Sequence, residues 1–256
     1  MVHEKFVGGF EDRNVQFRCF GNILDYDPQS TDREEQLQVI EALARDMGAK
    51  RVLWQILAND KDRDARFRVV RAGNVPRANG SFGHINYNRC DGVVLDQSGD
   101  AVAFTSRDCP ILILWNPHGT PVAVLHCSRS SLQGADIGQS GRSVFKEAFD
   151  LCAGGFLDCK EVGGYLTMGI AAEHFHNERY LNVTDLLKRN WGKHVIGGTE
   201  ERPTIDIVEL VRAQLRAKGV DTERVHWDAL DTFSDPRLAS VRAGRGGHNL
   251  VIAMRM

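Results

Sequence analysis

TSRDCPILILWNPHGTPVAVLHCSRSS, residues 105–131, decides how the rest of the chain is read. Two apolar runs, Ile111 to Trp115 and Pro121 to His126, flank Asn116-Pro117-His118-Gly119, a cluster of turn formers, so the stretch predicts a β-hairpin. A turn centred between Pro117 and His118 sets Trp115 opposite Thr120 and Cys109 opposite His126. Directly opposed residues of an antiparallel pair hold their Cβ atoms about 4.5–5.5 Å apart. That register predicts a thiol and an imidazole within reach of each other at the open end of the hairpin. Pro110 has no N–H to give to a ladder, which predicts a kink beside Cys109 that lets the thiol leave the sheet plane.

Working outward, the chain on both sides reads as alternating β and α segments. Thr31 to Gly48 predicts a helix: Thr31 and Glu34 have capping-box spacing, Leu37, Ile40, Ala44 and Met47 share a face, and Gly48 is the stop. Lys50 to Leu57 reads as a buried strand. Asn59 to Gly80 is polar and rich in Gly, Pro and Asn, an irregular excursion with a short strand over Arg66 to Val70. Gly92 to Asp96 and Ala101 to Ser106 are further strands, and Ser143 to Cys152 is a helix with Val144, Phe145, Ala148, Phe149 and Cys152 inward. Val162 to Ile170 reads as a strand, Thr204 to Lys218 as a helix capped by Gly219, and Asn249 to Met254 as a closing strand. No repeat or linker divides the chain. The predicted architecture is a single α+β domain over residues 1–256, a mixed or antiparallel sheet flanked by helices.

The bulk numbers narrow the partners. With 256 residues, 42% hydrophobic and 26% charged content, the chain can bury a substantial core. Its net charge of -2 gives no bias toward nucleic acid. No apolar run approaches the roughly 20 residues that span a bilayer, and the N-terminus lacks the pattern of a signal peptide. These readings predict a cytoplasmic chain acting on a small molecule, without nucleic-acid or membrane partners. The six cysteines form no CxxC pair, which argues against a four-cysteine zinc site.

A Cys109–His126 pair serves two chemistries. The imidazole can hold a thiolate for nucleophilic attack. The same two groups can also give sulfur and nitrogen to zinc or copper, with a third ligand from elsewhere. Asp108 and Arg129 stand at the same end, suited to moving protons or holding an anionic group. His174-Phe175-His176 would put two imidazoles on one face of a strand, and Arg242 to His248 is a basic, flexible stretch suited to a solvated loop or to an anion.

The hairpin resembles the YfiH-like laccase-domain family, whose members are also called polyphenol oxidase-like or purine nucleoside phosphorylase-like. Thr105-Ser-Arg-Asp-Cys109-Pro110 is similar to that family's T-A-D-C-x-P, and Leu125-His126-Cys-Ser-Arg129-Ser130 to its A-H-A-G-W-R-G. Cys90-Asp91-Gly92 resembles an Ala-Asp-Gly/Ala motif, and Trp54-Gln55 the approach to a Gln-x-His motif. Thr232-Phe233-Ser234, Ser240-Val241-Arg242, Gly244-Arg245 and Asn249-Leu250 resemble the Ser-x-Arg-Arg…Gly-Arg ending. The resemblance implies a cysteine-hydrolase-like α+β domain and a metal, usually zinc, held by two histidines and a cysteine. It implies Cys109 and His126 as ligands, with Asp108, Gln55 and Arg129 as substrate- or proton-handling residues. The chain departs from the pattern at Gln55-Ile56-Leu57, where leucine stands in place of the first histidine ligand. His84 is then the substitute third ligand.

Three functions compete on these residues. One is zinc-assisted C–N cleavage of a purine nucleoside, by phosphorolysis or deamination. A second is a metal-free enzyme with Cys109 as nucleophile and His126 as base. A third is a relative repurposed for binding or for a biosynthetic step. Copper-dependent phenol oxidation is weakest, because one Cys–His pair is far short of a multi-copper ligand set.

Overall fold

The computed structural model describes residues 6–24, 33–55, 67–75, 90–118, 122–132, 142–152, 159–177 and 181–256. In chain order the strands are β1 (Phe6–Glu11), β2 (Val15–Leu24), β3 (Arg51–Gln55), β4 (Val69–Arg71), β5 (Gly92–Leu95), β6 (Asp100–Ser106), β7 (Ile111–Trp115), β8 (Val122–His126), β9 (Gly163–Leu166), β10 (Ile196–Gly198), β11 (Pro203–Ile205), β12 (Val225–Trp227) and β13 (His248–Arg255). The α-helices are α1 (Arg33–Asp46), α2 (Arg129–Leu132), α3 (Val144–Cys152), α4 (Leu181–Trp191) and α5 (Ile207–Ala217).

Two mixed sheets, rather than the one expected, carry the fold. The first has the order β1-β2-β13-β6-β3 and the second β12-β9-β7-β8-β5-β4, while β10 and β11 pair separately. Parallel pairing is confined to β3 with β6, β4 with β5 and β12 with β9; the other pairs are antiparallel.

Strand alternation sorts the core into three layers. In β6, Val102 and Phe104 face the second sheet while Ala101 and Ala103 pack with Ile40, Leu43, Ala44 and Met47 of α1. In β7, Ile111, Ile113 and Trp115 join the layer between the sheets, and Leu112 and Leu114 pack outward with α3 and α5. In β8, Val122 and Val124 go inward and Ala123 and Leu125 outward. Every residue of β7 and β8 is therefore buried, which is why both read as unbroken apolar runs. Leu112, Leu114 and Leu125 are essentially without exposure, and truncating any of them to alanine costs about 2–5 kcal/mol.

The expected helices and strands recur with shifted ends. The predicted Thr204 to Lys218 helix starts at Ile207, because Asp206 caps it by accepting from the Glu209 N–H at 2.8 Å, and Ile205 belongs to β11 instead. Gly219 follows at φ +80° as the left-handed stop. Helix α1 begins at Arg33, with Thr31 outside the described residues, and Gly48 takes φ +84°. The Val162 to Ile170 strand is shorter, Gly163–Leu166, since beyond it the chain turns past Pro110. There Gly169 sits so close that a Cβ would lie 3.0 Å from the proline ring. Of the Asn59 to Gly80 excursion, only 67–75 are described, and its strand lies at Val69–Arg71. The β1–β2 hairpin and α4 carry structure that the sequence reading left unassigned. Among the described residues no helix is long and apolar enough to cross a membrane.

Candidate functional site

The hairpin forms, but its register differs from the expected one by two residues. Trp115 pairs with Val122 and Ile111 with His126, so Cys109 lies two residues beyond the residue opposite His126. The pairing is centred one residue later than assumed, and the Asn116 side chain accepts the His118 N–H at 2.9 Å as the chain leaves β7. A shift of two preserves the face, because side chains alternate with period two. Cys109 and His126 therefore stay on one face, close enough for the Cys109 sulfur to act on the imidazole's protonation.

Backbone bonds hold this corner. The Ser106 hydroxyl donates to the Cys109 carbonyl at 2.6 Å, the Cys127 N–H to the Pro110 carbonyl at 2.9 Å, and the Ile111 N–H to Thr167 Oγ1 at 3.0 Å. Strand β7 begins only after Pro110, as the missing donor requires.

A third group completes the site. Gly92 of β5 pairs with Leu125 of β8, and one step on, the His126 N–H donates to the Asp91 carbonyl at 2.7 Å. Asp91 thereby stands across from His126, and its Oδ1 lies 3.4 Å from His126 Nδ1. Neither atom has a hydrogen-bond partner among the described residues, and both are buried. Burial alone would pull the imidazole's pKa down, but the Asp91 carboxylate and the Cys109 sulfur outweigh it and push His126 up to about 10. The imidazolium form is favoured through neutral pH. Cys109 is half-buried, whereas Cys90 is pushed up to about 12 and Cys127 also upward, in both cases mainly by burial. Cys127 packs into the outer core layer, on the opposite face from His126. Cys109, His126 and Asp91 form one chain of contacts.

Asp108 is placed differently from the expected proton-handling role. Its Oδ1 accepts from Thr232 Oγ1 at 3.0 Å and Ser240 Oγ at 2.6 Å, and its Oδ2 from the N–H groups of Val241 and Arg242 at 3.0 and 3.2 Å. Four donors fill the lone pairs of this buried carboxylate, and it holds the segment 240–242 against the Cys109 corner. Arg129 opens α2, and its Nη1 donates to Asn177 Oδ1 at 2.7 Å. Gln55 ends β3 opposite Phe104, at the end of the first sheet where β6 runs on toward Cys109. His84 and Leu57 lie outside the described residues.

Elsewhere, His174 ends a 3-10 turn rather than lying on a strand. It stacks on Phe233 at 4.1 Å, with its Nε2 3.6 Å from Asp231 Oδ2. Arg245 is absorbed by its own loop, donating to the carbonyls of Leu238, Thr232, Phe233 and Asp235.

The metal implied by the family pattern needs three protein donors. Cys109 and His126 supply two. Among the described residues no group of three or more His, Cys, Asp or Glu side chains is arranged to hold a metal ion. The described donor set does not fit the metal.

A family model described as multi-copper polyphenol oxidoreductase laccase matches residues 24–255. Among solved structures, YlmD from Geobacillus stearothermophilus superposes with a TM-score of 0.72 at 16% identity, over 94% of this chain and 92% of that one. Protein NMB0706 of Neisseria meningitidis gives a TM-score of 0.70 at 18% identity, over 98% of this chain and 99% of that one. The hypothetical protein YfiH of Bacillus licheniformis gives 0.70 at 14% identity, over 94% and 92%. No curated protein matches the chain.

Proposed function

The chain belongs to the YfiH-like family described as multi-copper polyphenol oxidoreductase laccase, and on that premise we propose that it is a cysteine-dependent enzyme cleaving a C–N bond in a small molecule. The observation that carries this reading is the Cys109–His126–Asp91 chain, with the imidazole biased toward its charged form. In the proposed cycle Cys109 Sγ bonds to the carbon bearing the scissile nitrogen. The His126 imidazolium gives its proton to that nitrogen as the C–N bond breaks and the amine leaves. A water then attacks the same carbon, passing its proton to His126, and the C–S bond breaks to restore the thiolate. Asp91 touches neither substrate nor sulfur in this scheme; it orients the ring and stabilises its charge, the role of the third member in a nucleophile–base–acid chain.

A purine nucleoside is the substrate class to assay first, by release of ammonia or free base. Cys109→Ala and alkylation of Cys109 are expected to abolish that release, and a chelator to leave it intact. Loss of activity on chelation, restored by zinc, would overturn the metal-free cycle. It would favour the second reading, zinc-assisted cleavage with Cys109 and His126 as ligands and His84 as the third, for which the family match is the support.

A further inference from the structure

The loop that Asp108 anchors ends in two arginines with opposite fates. Arg245 is spent on four carbonyls of its own loop. Arg242 is exposed, and among the described residues its side chain makes no hydrogen bond or ion pair; its guanidinium lies over the Phe175 ring, 5.2 Å from the centroid. Its main chain is fixed beside the nucleophile, because the Arg242 N–H donates to the carboxylate of Asp108, the neighbour of Cys109. Two residues beyond Phe175, Asn177 receives Arg129, which follows His126 by three positions. One guanidinium tethered next to Cys109 and another tethered next to His126 thus converge on the segment 175–177. Three carboxylates of this region are already engaged: Asp108 by four donors, Asp231 by Ser234 and the N–H groups of Ala171 and Phe233, Asp235 by Arg237, while Glu173 is exposed. Arg107, exposed and adjacent to Asp108, adds positive charge at the same end.

We propose that the Cys109 centre takes substrates bearing an oxyanion, a carboxylate or phosphate group, and that Arg242 recognises it with Arg129 alongside. This narrows the functional reading above from a purine nucleoside to phosphate- or carboxylate-bearing relatives of one, and rests on Cys109 being its nucleophile. A planar guanidinium fork matches the two oxygens of such a group, and stacking on Phe175 holds the fork ready.

Paired alkylation tests it, since iodoacetate and iodoacetamide differ chiefly in charge, and mass mapping reports the rate at each cysteine of the whole chain. The iodoacetate-to-iodoacetamide rate ratio at Cys109 is expected to exceed that at Cys159 and to fall about threefold in Arg242→Gln, with Arg242→Lys retaining part of it. Taking a ratio cancels any change in the thiol's own reactivity. Inorganic phosphate or acetate should slow the iodoacetate reaction more than chloride at equal ionic strength, and whichever protects at lower concentration names the group. A ratio unmoved by Arg242→Gln, while iodoacetamide still labels Cys109 rapidly, overturns the proposal and leaves the nucleophile standing. If Cys109 reacts no faster than Cys159 with either reagent, the nucleophile reading fails and this one falls with it.

Discussion

At the first residue of β6, Asp100 meets Arg51 in a two-pronged pair with both carboxylate oxygens engaged: Nε to Oδ1 at 3.1 Å, Nη2 to Oδ2 at 2.8 Å, and Nη2 again to the Ala72 carbonyl at 2.7 Å. Just before β5 in the second sheet, Asp91 faces His126 at 3.4 Å, and neither facing atom has a hydrogen-bond partner among the described residues. Both pairs are buried. The first is a closed bidentate lock between the starts of β3 and β6. The second is loose, shares its ring with a thiol, and keeps a proton available. A buried charge that is fully satisfied can only hold structure; one left partly unsatisfied has interactions still to form, and forming them during a reaction is what lowers a barrier.

Removing one member of each pair should break the molecule in different ways. Asp100→Ala leaves the Arg51 guanidinium buried and unpaired, and should cost about 3–5 kcal/mol in urea denaturation. Its effect on the iodoacetamide rate of the folded protein at Cys109 should be slight. Asp91→Asn keeps shape but removes the charge facing His126, and should lower turnover about a hundredfold or more while the protein stays folded. The pH dependence sharpens the contrast. His126 titrates higher in the folded chain than in the unfolded one, so its stabilising contribution is full below about pH 6.5. That contribution declines as pH rises toward about 10, and stability curves across this window should flatten in Asp91→Asn.

A third carboxylate extends the comparison. Asp228 has one oxygen bonded to the Leu230 N–H and the other buried with no hydrogen bond among the described residues, and burial pushes its pKa up to about 6. The folded state thus holds its proton more tightly than the unfolded state, and the carboxylate destabilises the fold above that pH. Asp228→Asn should stabilise by about 1–2 kcal/mol at pH 7.5 and by nothing at pH 3.5, read as the shift in thermal midpoint. The smallest effect belongs to Asp206, a helix cap with a single satisfied acceptor: Asp206→Ala should cost about 1 kcal/mol at neutral pH in the same measurement.

How much of this was legible in the chain divides along sequence distance. The β7–β8 hairpin, α1, α3 and α5 are local patterns, and their residues reveal them: apolar runs around a turn, or a 3.6-residue stripe ended by glycine. The register lies two residues from the count, and the Asn116 side-chain bond to His118 that opens the turn is nothing a count of turn residues shows. Cys109 and His126 survived that slip because it was even. Asp91 was visible only as part of a motif, since β5 pairs with β8 across a long separation and no hairpin arithmetic reaches it. The engagement of Asp108 was invisible for the same reason: its donors lie 124 to 134 residues away. The β1–β2 hairpin escaped because glycines at 8 and 9 dilute the strand pattern, while α4 lacks a described capping signal.

The bond from Ser240 to Asp108 spans 132 residues, and that distance sets a time of birth for the site. A ribosome must release the chain beyond residue 242 before residues 240–242 can close over Asp108, and β13, the middle strand of the first sheet, emerges later still. Until then the thiol at 109 has no finished corner to sit in. A nascent or partly unfolded chain should carry Cys109 as an ordinary cysteine, so selective labelling there would report that residues 240–242 have closed over this corner.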